Sequence, residues 1–222
     1  MRIALLGGTG DIGQGLALRW AYDTNHEVII GSRDPEKART KAEEYETELD
    51  SRGLDKSING FENAMAADRA NVVVLAVPPY HVSDTVESIA DRLDDETTLV
   101  SPAVGMKSDE SGLHYHKPGA GSVTAVAAEA APEDVPVVGA FHNLSADRLA
   151  NLDVEFDVDT LVVGDDADAK ETVAALAEGI DGLRALDAGP IENAAEVESV
   201  TPLVINIARY NDGMHDVGVK FS

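Results

Sequence analysis

Residues 2–13 read Arg-Ile-Ala-Leu-Leu-Gly-Gly-Thr-Gly-Asp-Ile-Gly. Arg2–Leu6 has the pattern of a short buried strand, and the residues from Gly13 to Tyr22 have that of a helix. Between them, Gly8-Thr9-Gly10-Asp11-Ile12-Gly13 has the spacing G-x-G-x-x-G. That spacing is common by itself. In a strand–turn–helix context it is the fingerprint of a dinucleotide site. Gly8 is expected to make the tight turn, Gly10 to let the backbone approach a pyrophosphate, and Gly13 to let helix and strand pack closely. The anion would rest on free N–H groups at the helix start. The competing reading is a bare glycine turn in an α/β fold.

The end of the second strand, Glu27–Gly31, decides which dinucleotide fits. A site for NAD places Asp or Glu there to accept from the ribose 2′-hydroxyl. This chain has Gly31-Ser32-Arg33, and Lys37 follows one turn into the next helix. A guanidinium, a hydroxyl and an ammonium suit a 2′-phosphate, so the expected ligand is NADP. Asp34 must then point away. Arg39 and Lys41 are better explained by pairing with Glu36, Glu43 and Glu44 on a solvated helix.

Working outward, strands and helices alternate. The run Val72–Val77 (VVVLAV) is a strand buried on both faces. Further strands are expected at Ser57–Gly60, Thr98–Val104, Val135–Phe141, Asp159–Val163 and Leu183–Ala188. Helices are expected at Asp34–Glu48, Ser83–Leu93, Ser122–Ala131, Ala167–Gly179 and Ile191–Arg209. The fold class is therefore α/β, a doubly wound, Rossmann-type, mostly parallel sheet with a small helical C-terminal subdomain. Residues 1–189 read as the dinucleotide-binding domain and 190–222 as a helix and tail packed on it. Lys107–Gly121, rich in Gly, Ser and His, reads as a loop. Val77-Pro78-Pro79-Tyr80 and Ser101-Pro102 fall at strand ends, where doubly wound sheets bind ligands.

The 222 residues carry 41 Asp and Glu against 17 Lys and Arg, a formal net charge of −24. Such a surface repels phosphate backbones, so nucleic acid is not an expected partner. The acids are spread along the chain and form no single block, as in Asp147, Asp153, Glu155, Asp157 and Asp159. Of the two readings of such acidity, a specific basic partner and a high-salt cytoplasm where dense carboxylates are screened and keep the molecule hydrated, the spread favours the second. No apolar run reaches membrane-spanning length, and the first residues read as no secretory signal. With no cysteine, disulfides and thiolate chemistry are excluded. His114 and His116 lack a third ligand, so no metal site is expected. Trp20 reads as core.

Taken in order, the segments GGTGDIGQGLALRWA, IIGSRDPEKA, FHNLSADRLANLD, VVGDDADAKETV and DGLRALDAGPIENAAEVESVTPLVINIAR resemble the coenzyme F420-dependent NADP oxidoreductase family. The resemblance implies reversible hydride transfer between reduced coenzyme F420, a 5-deazaflavin, and NADP. It also implies a homodimer. By position it assigns Thr9, Gly10, Asp11 and Ile12 to the pyrophosphate and Ser32, Arg33 and Lys37 to the 2′-phosphate. Pro79 and Ser83 would lie along NADP, with Met106 and Ala146 nearer the nicotinamide. Ser199, Thr201 and Val217 would face the deazaflavin. His142 falls in the segment beside the reacting rings, where it either orients a ring or is a buried histidine satisfied by backbone. Two other functions keep the same loop: an NADPH-dependent reductase of an imine, ketone or ferric complex, and a non-catalytic NADP-binding redox sensor. Arg33→Ala is expected to raise the Michaelis constant for NADPH far more than that for NADH in steady-state assays. Equal effects on both would remove the 2′-phosphate assignment.

Overall fold

The computed structural model describes residues 1–222. In chain order the elements are β1 (Arg2–Leu6), α1 (Asp11–Asp23), β2 (Glu27–Ser32), α2 (Pro35–Ser51), β3 (Asn59–Glu62), α3 (Asn63–Ala67) and β4 (Val72–Leu75). There follow α4 (Val82–Ile89), β5 (Thr98–Ser101), β6 (Met106–Asp109), β7 (Gly112–Tyr115), α5 (Val123–Ala130) and β8 (Val137–Gly139). The chain continues with α6 (Ala146–Ala150), β9 (Val158–Gly164), α7 (Ala167–Glu178), β10 (Leu183–Asp187) and α8 (Ala194–Tyr210).

Eight strands form one sheet in the order β10-β9-β8-β5-β4-β1-β2-β3. All neighbours are parallel except β8 and β9, which run antiparallel. The strand order reverses between β1 and β4, which opens a crevice at their C-terminal ends. Alternation along β1 explains the two layers. Ile3 and Leu5 join α1, α2 and α7 on one face, while Ala4 and Leu6 join α3, α4 and α5 on the other.

The short helices α3 and α6 are not among the expected elements, and two further segments differ from the sequence reading. Residues expected to form a loop at 107–121 contain the β6–β7 hairpin, paired from Met106↔Tyr115 to Asp109↔Gly112. The hairpin is polar on its outer side, so its sequence carries no apolar alternation. It is held by α8: the Asn206 amide accepts from Leu113 N and donates to Leu113 O, and Tyr210 donates to Ser111 O. The third strand lies at Asn59–Glu62 rather than Ser57–Gly60. A Cβ on Gly60 would come within 2.4 Å of the α2 backbone, so α2 and β3 touch main chain to main chain there.

Trp20 is fully buried, with its indole donating to Leu176 O. Beside it Arg19 is also buried and donates to the carbonyls of Arg148, Leu149, Asn151 and Val154, closing the open C-terminal end of α6. Arg19→Met is expected to strand these carbonyls. It should lower the unfolding free energy by roughly 2–4 kcal/mol in a denaturant titration followed by Trp20 fluorescence.

Candidate cofactor site

The turn after β1 is built by close approach. Gly7 has φ +79°, and a Cβ there would meet Ala76 O at 2.4 Å; one on Gly13 would meet Gly8 Cα at 2.6 Å. The positive φ in this turn falls on Gly7, one residue before Gly8, to which the sequence reading gave the tight turn. Gly8 is hemmed in instead, since a Cβ would meet Leu5 O at 2.8 Å. No side chain caps α1, so its first N–H groups are free for an anion. Asp11 is exposed at the first helical position and Ile12 packs toward the core.

This turn opens into a groove of about 480 Å³ that brings together Thr9, Gly10, Ser32, Arg33 and Lys37. Ala76, Val77 and Pro78 after β4, Glu62 and Asn63 where β3 meets α3, and His81, Asp84, Thr85 and Ser88 also line it. Arg33 and Lys37 pair with no carboxylate, whereas Arg39 pairs with Glu36 and Lys41 with Glu44. Asp34 is turned away from the groove. Its carboxylate caps α2, accepting from Glu36 N and Lys37 N at 3.0 and 3.3 Å. Pro79 and Ser83 flank the groove without lining it, and the Ser83 hydroxyl donates to Glu87.

A second pocket, about 320 Å³ and mostly apolar, follows the end of β8. Asn143, Leu144, Ser145 and Ala146 form one wall, and Thr201, Val204, Ile205 and Ala208 on α8 the other. Asp216 and Val217 of the tail close it. Phe141 enters this wall with φ +66°, a strained conformation for a non-glycine residue that turns residues 142–145 across the strand ends. Thr201 donates to His142 O, and Ser145 donates to Asp216 at 2.7 Å. The tail is fixed by Asp159, whose side chain accepts from Arg184 at 2.7 and 2.8 Å and from Phe221 N at 2.6 Å. The Arg184 guanidinium holds the Asp159 carboxyl below the usual carboxylate range.

Ser199 lies outside this pocket, its hydroxyl folded back onto Glu196 O, and Met106 lies on the hairpin outside both cavities. Sequence reasoning did not single out Asn63, Glu198, Asp159 or Asp216. Nothing in their local sequence marks them, because their roles come from residues 15 or more positions away. Glu198 is fully buried on α8. It accepts from Val123 N, Thr124 N, the Thr124 hydroxyl and the Tyr115 hydroxyl, all within 3.0 Å, and so caps α5 from a distant element. Burial raises its pKa against these four donors.

Three buried side-chain polar atoms have no partner: Asn63 Oδ1, Ser101 Oγ and His142 Nδ1. All three follow or end strands at the C-terminal edge of the sheet, the edge on which both cavities open. A third cavity, about 730 Å³, is different in kind. It is lined by seven carboxylates, among them Asp95, Glu133, Asp134 and Asp166. No group of three or more metal-ligating side chains is arranged to hold an ion, and no helix is long and apolar enough to cross a membrane.

His142 is buried, and burial pushes its imidazole down to about 3. Its folded value lies below the unfolded one, so the unfolded chain binds the extra proton between these pH values. Stability is therefore fully present above about pH 6.5 and falls at up to about 1.4 kcal/mol per pH unit below it. Thermal melts between pH 7.5 and 5.5 are expected to show this loss, and His142→Gln is expected to flatten it.

Comparison with known proteins bears on this geometry. Residues 2–105 match the family model described as NADP oxidoreductase, coenzyme F420-dependent. The chain is 44% identical to the F420-dependent NADP reductase of Methanothermobacter thermautotrophicus, covering 100% of this chain and 95% of that protein. It is 39% identical to the enzyme of the same name from Methanocaldococcus jannaschii, covering 93% and 92%. A crystal structure from Arthrobacter sp. FB24, assigned as an F420-dependent NADP reductase, superimposes with a TM-score of 0.80 at 24% identity, covering 99% and 98%. With relatives of this identity spanning all or nearly all of its length, the chain belongs to the coenzyme F420-dependent NADP oxidoreductase family.

Proposed function

We propose that the protein transfers hydride reversibly between reduced coenzyme F420 and NADP. The observation that carries this reading is the pairing of two unlike cavities on one edge of the sheet. One is polar and holds unpaired cations, and the other is apolar and closed by α8 and the tail. The donor set fits a dinucleotide phosphate. Free N–H groups of α1 and the backbone of Thr9 and Gly10 suit the pyrophosphate, and Ser32, Arg33 and Lys37 suit the 2′-phosphate. Leu144, Ala146, Val204, Ile205 and Val217 suit a planar ring system, with Thr201 as a polar edge.

When bound, the nicotinamide and deazaflavin rings supply the chemistry, passing a hydride directly between carbons. The protein holds the two faces together and keeps water out, so rate depends on distance and orientation. Residues 142–146 act as the fixed wall, anchored by Thr201 to His142 O and by Asn143 to Asp159 O. On this reading His142, kept neutral by burial, acts through this backbone and through packing.

Residues 1–189 form the NADP-binding unit on this reading, and 190–222 complete the second pocket. Leu203, Ile207, Tyr210 and Met214 are exposed, and most lie on the side of α8 away from the pocket. Such an apolar stripe supports a homodimer packed through α8. The 41 acids spread over the chain support a high-salt cytoplasm and argue against nucleic-acid partners.

Mixing the protein with NADPH and oxidised F420 in molar salt is expected to bleach the deazaflavin absorbance in step with NADPH loss. NADPH oxidation only with an imine, ketone or ferric acceptor would move the assignment to another reductase. Binding without turnover would make the protein a sensor.

A further inference from the structure

Asn63 has no assigned role, yet its environment is unusual. It begins α3 directly after β3, and the β2–β3 register sets its predecessor Glu62 beside Ser32. The side chain is only 6% exposed and lines the groove. Its Oδ1 is sealed from solvent without a partner, and its Nδ2, which makes no hydrogen bond in the protein, remains open to the groove. The amide is not needed as a helix cap, because the Glu62 carboxylate already accepts from Ala64 N at 3.0 Å. Nor is it held by chance. Gly31 leaves the space it occupies, since a Cβ there would come within 3.0 Å of Asn63 Oδ1 and 2.6 Å of Leu6 Cδ2. An apolar residue would fill this site without stranding polar atoms.

The charges around Asn63 indicate what meets it. The groove holds the cations Arg33 and Lys37 and the acids Glu62 and Asp84. A phosphate is drawn to the cations and repelled by the acids. Asn63 follows Glu62, which is paired with Ser32, so a ribose whose 2′-phosphate meets Ser32 and Arg33 brings its neutral 3′-hydroxyl toward the amide. We propose that Asn63 is a specificity residue for the adenosine half of NADP, its Nδ2–H donating to the ribose 3′-hydroxyl oxygen beside the 2′-phosphate. This rests on the reading of the groove as the NADP site.

The test uses fragments of the dinucleotide on the whole protein. Adenosine 2′,5′-bisphosphate and its 3′-deoxy analogue are titrated by calorimetry against wild type, Asn63→Ala and the closer-volume Asn63→Leu, with melting curves for each. Wild type is expected to bind the 3′-deoxy compound about tenfold more weakly than the parent. Both variants are expected to lose about tenfold on the parent and to be indifferent to the 3′-hydroxyl. The Michaelis constant for F420 is expected to stay unchanged. Variants that keep the full 3′-hydroxyl sensitivity, or that bind the parent as well as wild type, overturn the role of Asn63 alone. If wild type binds neither bisphosphate, the reading of the groove fails with it.

Discussion

The contact between Gly13 on α1 and Gly8 in the preceding turn leaves no room for a single added carbon. Gly7 is held as tightly against the end of β4. Together these contacts press the start of α1 into the crevice between β1 and β4, where the strand order reverses. Because Gly10 offers no side chain, the helix N–H groups stay free, and the partial positive charge of the helix end faces the groove. The cations at the end of β2 then lie on one side of a fixed anion site, and the wall that starts at Phe141 lies across the sheet from it.

The C-terminal segment is fastened to this frame by two buried carboxylates of opposite character. Glu198 brings α8 to the start of α5 and is satisfied by neutral donors, so burial raises its pKa. Asp159 brings the tail to β9 and is satisfied by a guanidinium, so its pKa falls. A buried charge that loses its partners costs several kcal/mol, roughly 3–5 in comparable cases. Both connections support the second pocket, since its walls belong to α8 and the tail.

Charge is distributed by the same logic. Carboxylates outnumber cations by 41 to 17, so two unpaired cations just beyond the end of one strand and in one groove are a local reversal of the overall charge. Arg33 and Lys37 are these two, kept free partly because Asp34 spends its carboxylate on the cap of α2. The seven acids around the 730 Å³ cavity create a field of the opposite sign.

The sequence alone determined the glycine turn, the cationic end of β2, the alternation of strands with helices and the membership that the ordered motifs suggested. These are local: each depends on residues within a few positions, where backbone sterics and side-chain charge act directly. Tertiary structure decided the rest. The β6–β7 hairpin has little apolar pattern of its own and is held by Asn206 and Tyr210, some ninety residues on. Asn63, Asp159, Glu198 and Asp216 took on their roles only when distant strands and helices surrounded them. A buried polar group is defined by the partners it gains or lacks, and those are set by the packing of the whole chain.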